Sequence, residues 1–158
     1  KVSLADFGDD SLPCPENSFD MIFCKSVIEH LRDPKKLLVG IHAALKPGGV
    51  AVIMTPSWMH LAWGPFYIDP THVTPFTLPS LRDSLAMSGF DGVNVEHFRQ
   101  LPFLWRYPFL TPLARLIAAL PITYRPFFPD APWPVGLNKL IWFSNEVMLM
   151  AVARKPIL

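Results

Sequence analysis

Two short apolar runs with a helical pattern between them constrain the fold of this chain most strongly. The runs at 20–24 (DMIFC) and 50–54 (VAVIM) do not alternate polar with apolar residues, which is typical of strands buried on both faces of a parallel sheet. Between them, Asp33 is placed to be an N-cap and Pro34 to occupy the first helical position. The Lys-Pro-Gly-Gly segment at 46–49 ends the helical pattern. Strand, helix and strand with short joints predict a right-handed βαβ unit.

Two helices carry apolar residues at helical spacing. The helix predicted over 34–45 would turn one face towards a core, and the residues of that face are Leu37, Leu38, Ile41 and Leu45. A second helix is predicted over 78–88, with Thr77 as its N-cap and Gly89 after its end. Its expected core residues are Leu81, Leu85 and Met87. Both helices would therefore cover a sheet.

A length of 158 residues allows one domain with a sizeable core, and a single domain is predicted to span 1–158. Hydrophobic residues make up 51% of the chain and charged residues 17%, and the net charge of +1 offers no field that would attract nucleic acid. The two cysteines, Cys14 and Cys24, have neither metal-type spacing nor a disulfide pattern, which favours a reducing compartment. Neither a signal peptide nor an apolar run of about 18 residues is present, so a cytoplasmic location is expected.

The motifs of the βαβ unit resemble those of a known family. The segments 12–34 (LPCPENSFDMIFCKSVIEHLRDP) and 45–56 (LKPGGVAVIMTP) are similar to the second half of class I S-adenosylmethionine-dependent methyltransferases. The resemblance covers about the first two-thirds of the chain and implies an α/β, Rossmann-like sheet of parallel strands. Strands at 92–98 and 146–154 would add the family's C-terminal antiparallel hairpin. The family's glycine-rich first turn has no counterpart here, so the expected sheet is partial and lacks the first βαβ unit.

The resemblance implies S-adenosylmethionine as the cofactor and assigns residues to it. Asp6 matches the acidic residue that meets the adenine, with Phe7 covering the ring, although Asp6 could instead belong to a solvated loop. Cys24, Lys25 and Ser26 match the turn whose backbone holds the methionyl part, at the strand end where open α/β sheets bind ligands. With the glycine-rich turn absent, this chain holds about half of a cofactor site and is expected to be inactive alone.

His30 and His72 are the candidate catalytic residues. His30 could be the general base for a substrate hydroxyl, because imidazole titrates near neutral pH, or it could order its turn through a hydrogen bond. Glu29 could also act as a base. His72 opens a His-x-x-x-Phe-Thr element that resembles one near the active-site mouth of some family members, so it could contact substrate or stitch its loop. No two histidines have the close spacing of a metal site, and no metal is predicted.

The segment 99–145, between the last two strands, is longer than the family's usual loop. It is rich in proline and aromatic residues, and no acidic residue occurs from 98 to 129 although four arginines do. This composition suits contact with a membrane surface through 99–128. A flap over the sheet or a dimer contact is the alternative.

These patterns predict methyl transfer from S-adenosylmethionine to a small-molecule, sugar or lipid-linked acceptor, in the cytoplasm or at the membrane periphery. The alternative is a non-catalytic methyltransferase-like module for binding or membrane-associated assembly. Without the first strands, the strand at 20–24 would have an open edge. Residues 1–12 would then collapse onto it, pair with a second copy in a homodimer, or lack order.

Overall fold

The computed structural model describes residues 12, 14–61, 66, 69–119, 144 and 146–157. Asp6 and Phe7, the expected adenine contacts, lie outside these residues, as does most of the second half of the segment 99–145. The strands in chain order are β1 (Phe19–Lys25), β2 (Leu45–Pro56), β3 (Asp91–Arg99) and β4 (Val147–Arg154). The helices are α1 (Pro34–Ala44), α2 (Trp58–Leu61), α3 (Leu78–Met87), α4 (Pro102–Arg106) and α5 (Thr111–Ala118).

The four strands form one sheet in the order β1-β2-β4-β3. β1 and β2 run parallel, with Cys24 beside Ile53. β4 pairs antiparallel with both β2 and β3. A parallel pair joined by a helix, followed by an antiparallel hairpin, is the α/β Rossmann-like arrangement that the sequence predicts, and this prediction is confirmed.

β2 begins earlier than the apolar run at 50–54 indicates. Leu45 lies opposite Phe19 and Val50 lies opposite Met21, so the residues between Leu45 and Val50 bulge out of the parallel register. Gly48 adopts a φ of 77° in this bulge. The Lys-Pro-Gly-Gly segment does follow the end of α1, as predicted, but it belongs to an irregular strand start rather than to a separate turn.

The core lies where α1 and α3 pack on one face of the sheet. The predicted face of α1 is buried in it: Leu37, Leu38, Ile41 and the adjoining Leu45. Leu81 and Leu85 of α3 are also fully buried. The prediction that Met87 belongs to this core is wrong, because its side chain is 75% exposed at the last position of α3. Thr77 caps α3 with a reciprocal capping box to Ser80, as the sequence predicts in part.

β1 is the edge of the sheet within the described residues, where it pairs only with β2. Its outward face carries two largely exposed apolar side chains, Met21 at 63% and Phe23 at 61%. The predicted behaviour of residues 1–12 falls almost wholly outside the described residues. A homodimer through this edge stays a prediction.

The described part of the segment 99–145 forms a small apolar unit after β3. Leu101, Leu104 and Ala114 pack together and join α4 to α5. The indole of Trp105 donates a hydrogen bond back to the carbonyl of Arg99, at 2.8 Å, which ties the unit to the strand end. None of the helices in the described part of the chain has the length and apolar character that a bilayer crossing requires.

Candidate active site at the carboxyl ends of β1 and β2

The turn after β1 brings the expected ligand-binding residues to the edge of the sheet. Ser26 adopts a φ of 54°, and its N–H donates to the carbonyl of Met54 in β2 at 2.9 Å. A single 3-10 turn, Ile28–His30, follows immediately. The positive φ reverses the chain sharply at the strand end, so Glu29 and His30 lie beside the end of β2.

The three residues predicted to hold the methionyl part differ in where their side chains go. Cys24 packs against the core, and burial, reinforced by the nearby Glu29 carboxylate, raises the pKa of its thiol to about 11. Lys25 donates to Oε1 of Gln100 at 2.7 Å. Ser26 is exposed. A cofactor would therefore meet the backbone of this turn and the Ser26 hydroxyl, which fit one wall of a cofactor site.

We expect the Cys24 thiol to be almost inert in the folded protein. At about pH 8, a thiol with a pKa of about 11 has a thiolate fraction roughly 10²-fold below that of an unperturbed cysteine, so alkylation should slow by a similar factor. Peptide mass spectrometry after timed iodoacetamide treatment measures this. Cys14 and the denatured protein are the controls, and equal labelling of Cys24 in the native and denatured protein would contradict the burial.

A loop over residues 69–77 is held against the turn after β1. The carbonyl of Glu29 accepts hydrogen bonds from the N–H groups of Val73 and Thr74, at 2.9 and 3.0 Å. The Thr74 hydroxyl donates to the carbonyl of Leu31 at 2.6 Å. These bonds connect two segments that are far apart in sequence, as the 43-residue separation of Leu31 and Thr74 shows.

His30 and His72, the predicted catalytic residues, are brought together by this loop. Their ring centroids lie 4.6 Å apart and their planes meet at 61°. The His30 side chain is 31% exposed and the His72 side chain 14%. The sequence offered loop-ordering or contact with substrate as alternatives for His72, and the structure shows it hydrogen-bonded within its own loop while its ring faces His30.

The hydrogen bonds around both histidines determine their tautomers. Nδ1 of His72 donates to the carbonyl of Phe66 at 2.7 Å, because a carbonyl can only accept. Nδ1 of His30 lies 2.7 Å from the Thr71 hydroxyl, which already donates to Asp69, so the hydroxyl oxygen accepts from His30. In the neutral form, each Nε2 therefore keeps its lone pair.

Glu29 is the third residue of this cluster. Its side chain is fully buried, and Oε2 accepts a hydrogen bond from the Thr55 hydroxyl of β2 at 2.9 Å. Oε1 has no hydrogen-bond partner among the residues that the structure describes, and it lies 4.0 Å from Nε2 of His30. One atom each from Glu29, His30 and His72 lie within 4.8 Å of one another, in an arrangement we call the Glu-His-His cluster.

A second histidine pair lies beyond the end of β2, and the sequence analysis does not predict that these two residues meet. Nδ1 of His60 is 3.0 Å from the Ser57 hydroxyl, and its ring centroid is 4.7 Å from that of His97. Burial is the main cause that lowers the pKa of both imidazoles, and Arg99 adds to it. Both rings are therefore biased towards the neutral form. Only the pairing of β3 with β4 brings His97 to this position.

Comparison with known proteins agrees with the fold. Residues 2–95 match the family model described as a methyltransferase domain. A Mycolicibacterium smegmatis protein named as an S-adenosylmethionine-dependent methyltransferase is 31% identical over 90 residues, covering 54% of this chain. A ubiquinone biosynthesis O-methyltransferase of Actinobacillus pleuropneumoniae is 33% identical over 55 residues, covering 35% of this chain. The crystal structure of a SAM-dependent methyltransferase from Archaeoglobus fulgidus aligns over 90% of this chain with a TM-score of 0.55 and 23% identity.

The chain spans only part of each of these proteins. It covers 35% of the M. smegmatis protein, 24% of the A. pleuropneumoniae enzyme and 62% of the A. fulgidus chain. The family match nevertheless includes more than half of the chain and contains β1, α1, β2 and α3. The chain thus belongs to the methyltransferase-domain family of class I S-adenosylmethionine-dependent methyltransferases, whose cofactor is S-adenosylmethionine.

Proposed function

We propose that the whole protein transfers a methyl group to an oxygen or nitrogen of a small-molecule, sugar or lipid-linked acceptor held against His30 and His72. The convergence of these two imidazoles at the carboxyl ends of β1 and β2 carries the proposal. Bound S-adenosylmethionine supplies an electrophilic sulfonium methyl. The residues of this chain would orient the acceptor and take up its proton.

The free Nε2 atoms are suited to that proton transfer. Each imidazole uses Nδ1 to donate to an oxygen, so Nε2 can accept a hydrogen bond or a proton from an acceptor hydroxyl. The Asp69 carboxylate holds the Thr71 hydroxyl, and that hydroxyl holds the His30 ring. Such a chain restricts the rotation of the base, which favours a reaction that depends mainly on positioning.

A small acceptor is supported by charge and by one relative. The chain has a net charge of +1, which does not favour a polyanionic substrate. The A. pleuropneumoniae relative is named for methylating an oxygen in ubiquinone biosynthesis. An acceptor with an ionisable hydroxyl would suit two imidazoles that offer lone pairs.

The test uses the full-length protein and two measurements. Titration calorimetry with S-adenosylmethionine should show saturable binding that S-adenosylhomocysteine displaces. Incubation with S-adenosylmethionine labelled in its methyl group, together with a metabolite extract, should give a labelled product identifiable by mass. An absence of binding at millimolar cofactor would overturn the enzyme proposal and favour the non-catalytic module.

We also propose that the unit after β3 contacts a membrane surface. Phe109 is 74% exposed and Leu116 66% exposed, and both lie in a stretch that has no acidic residue. Arg106 and Arg115 are exposed nearby. Apolar side chains beside arginines can enter the headgroup region while the guanidinium groups bind phosphate.

Vesicle flotation can test whether the protein binds membranes through this unit and not through another part of its surface. The protein should float with vesicles that contain phosphatidylserine, and an Arg106→Ala/Arg115→Ala variant should partition about 30-fold less, at about 1 kcal/mol per arginine. Phe109→Ser/Leu116→Ser should also lose binding. Met87→Ser changes a similarly exposed residue on α3 and serves as the control. Equal recovery of all variants would contradict the membrane contact.

A further inference from the structure

We propose that Glu29, His30 and His72 bind a divalent first-row transition-metal ion. The three donors are the Oε1 atom of Glu29 and the Nε2 atoms of the two histidines. Two imidazoles and one carboxylate form a donor set that Zn²⁺, Fe²⁺ and related ions use in catalytic sites with open coordination positions. The spacing of histidines along the chain predicts no metal, because this convergence arises only from the packing of the 69–77 loop on the turn after β1.

The positions of the donor atoms permit a single ion between them. One ligand atom from each residue lies within 4.8 Å of the other two. Tetrahedral ligands at about 2.1 Å from a metal are about 3.4 Å apart, so binding requires each pair of ligand atoms to approach by at most about 1.4 Å, and Glu29 and His30 by less, since their atoms are already 4.0 Å apart. His30 and His72 are partly exposed and His72 lies on a loop, so small side-chain rotations achieve this.

Both histidines are already in the tautomer that a metal needs. A ligating imidazole in proteins usually donates its other N–H to a carbonyl, a carboxylate or another oxygen, and this outer contact fixes the ring. Here the Phe66 carbonyl takes the N–H of His72, and the Asp69–Thr71 chain takes that of His30. The lone pairs on both Nε2 atoms are thus available for the same ion.

The buried carboxyl group of Glu29 is a second and independent observation. Within the described part of the chain, Oε1 has no hydrogen-bond partner although the Glu29 side chain is fully buried. A buried polar oxygen without a partner costs free energy, and a bound cation removes that cost. Thr55 occupies Oε2 and orients the group, which leaves Oε1 directed towards Nε2 of His30 at 4.0 Å.

Three protein ligands leave at least one coordination position open. In the proposed methyl transfer, an acceptor oxygen could occupy that position, and the ion would favour its deprotonated form. Both Nε2 lone pairs would then be bound to the ion, so the acceptor's proton would pass to solvent and not to an imidazole, and the metal-bound site would replace direct proton transfer to His30 or His72. This step rests on the proposed function, whereas metal binding does not. The binding experiment therefore contains neither S-adenosylmethionine nor acceptor, so a failure of one proposal leaves the other intact.

The test is metal binding to tag-free full-length protein. Titration with Zn²⁺, and with Co²⁺ followed by its visible absorption, should show one ion per chain, and Mg²⁺ should bind much more weakly because it prefers oxygen ligands. Glu29→Gln and His72→Gln should each lower Zn²⁺ affinity more than about 100-fold. Thr71→Val, which removes the hydroxyl that accepts from His30 and donates to Asp69, should lower it about 10- to 100-fold. Circular dichroism confirms folding, and His72→Gln keeps the test valid if Glu29→Gln fails to fold.

His97→Gln is the matched control, because His97 is exposed and belongs to the second histidine pair. It should leave the affinity unchanged. The proposal is overturned if the wild-type protein binds no Zn²⁺ or if His72→Gln binds it as tightly as the wild type. It is also overturned if His97→Gln weakens binding as much as His72→Gln does, since the ion would then lie elsewhere.

Discussion

Replacing His72 with glutamine is expected to lower the methyl-transfer rate of the full-length protein about 10²- to 10⁴-fold, the usual contribution of a positioned proton acceptor. Glutamine removes the Nε2 lone pair of the ring, while its amide can still donate a hydrogen bond within the loop. The rate is measured as labelled methyl transfer to the acceptor that the full-length protein methylates. The affinity for S-adenosylmethionine should remain unchanged, because His72 is assigned to the acceptor.

Two controls isolate this effect. His97→Gln changes a histidine outside the Glu-His-His cluster and should keep the wild-type rate. Thr71→Val should give an intermediate loss, because the His30 ring keeps its atoms but loses the hydroxyl that holds Nδ1. A wild-type rate in His72→Gln would place the proton acceptor elsewhere in the protein.

The second large effect concerns stability, at Gly49 in the bulge that opens β2. A Cβ at this position would lie 2.8 Å from the carbonyl oxygen of Lys46 and 3.2 Å from that of Asp20. Both atoms belong to the backbone, so the clash cannot be relieved by a side-chain rotation. Gly49→Ala should destabilise the fold by about 3 kcal/mol, at the upper end of the cost of overpacking, and chemical denaturation measures this.

Gly40→Ala is the matched control within α1. A Cβ at this position would lie 3.1 Å from Cδ1 of Leu12, which is the end of a flexible side chain. Removing a helical glycine should stabilise the protein by up to about 1 kcal/mol once that side chain moves. Equal stability of the two variants would mean that Gly49 does not lie close to the carbonyl oxygens of Lys46 and Asp20.

Local sequence patterns account for the framework of the fold. The apolar runs at 20–24 and 50–54 identified β1 and β2, and the spacing of apolar residues identified the buried face of α1. Thr77 predicted the start of α3. These predictions succeeded because strand propensity, helix periodicity and capping depend on neighbours within a few residues. The expected burial of β1 on both faces is wrong, since Met21 and Phe23 are largely exposed. The same reasoning wrongly assigned Met87 to the core, since helical spacing alone does not show which end of a helix extends beyond the core.

The sequence also singled out both catalytic candidates, His30 in the turn after the first strand and His72 through the His-x-x-x-Phe-Thr element. It could not show that they touch. Their contact depends on hydrogen bonds between the Glu29 carbonyl and the N–H groups of Val73 and Thr74, more than 40 residues along the chain. Likewise, the extension of β2 back to Leu45 depends on pairing with Phe19 rather than on local propensity.

The sequence by itself determined the family, the βαβ unit and the identity of His30 and His72. Only the tertiary structure decided that Glu29 lies beside both histidines, with a carboxyl oxygen that has no hydrogen-bond partner among the described residues, and that one ligand atom from each of the three residues lies within 4.8 Å of the others. The reason is physical. The spacing of apolar residues and helix capping depend on residues that are close in sequence. A ligand cluster instead requires long-range packing that brings a loop onto a strand end, and the sequence positions of its members do not predict that contact.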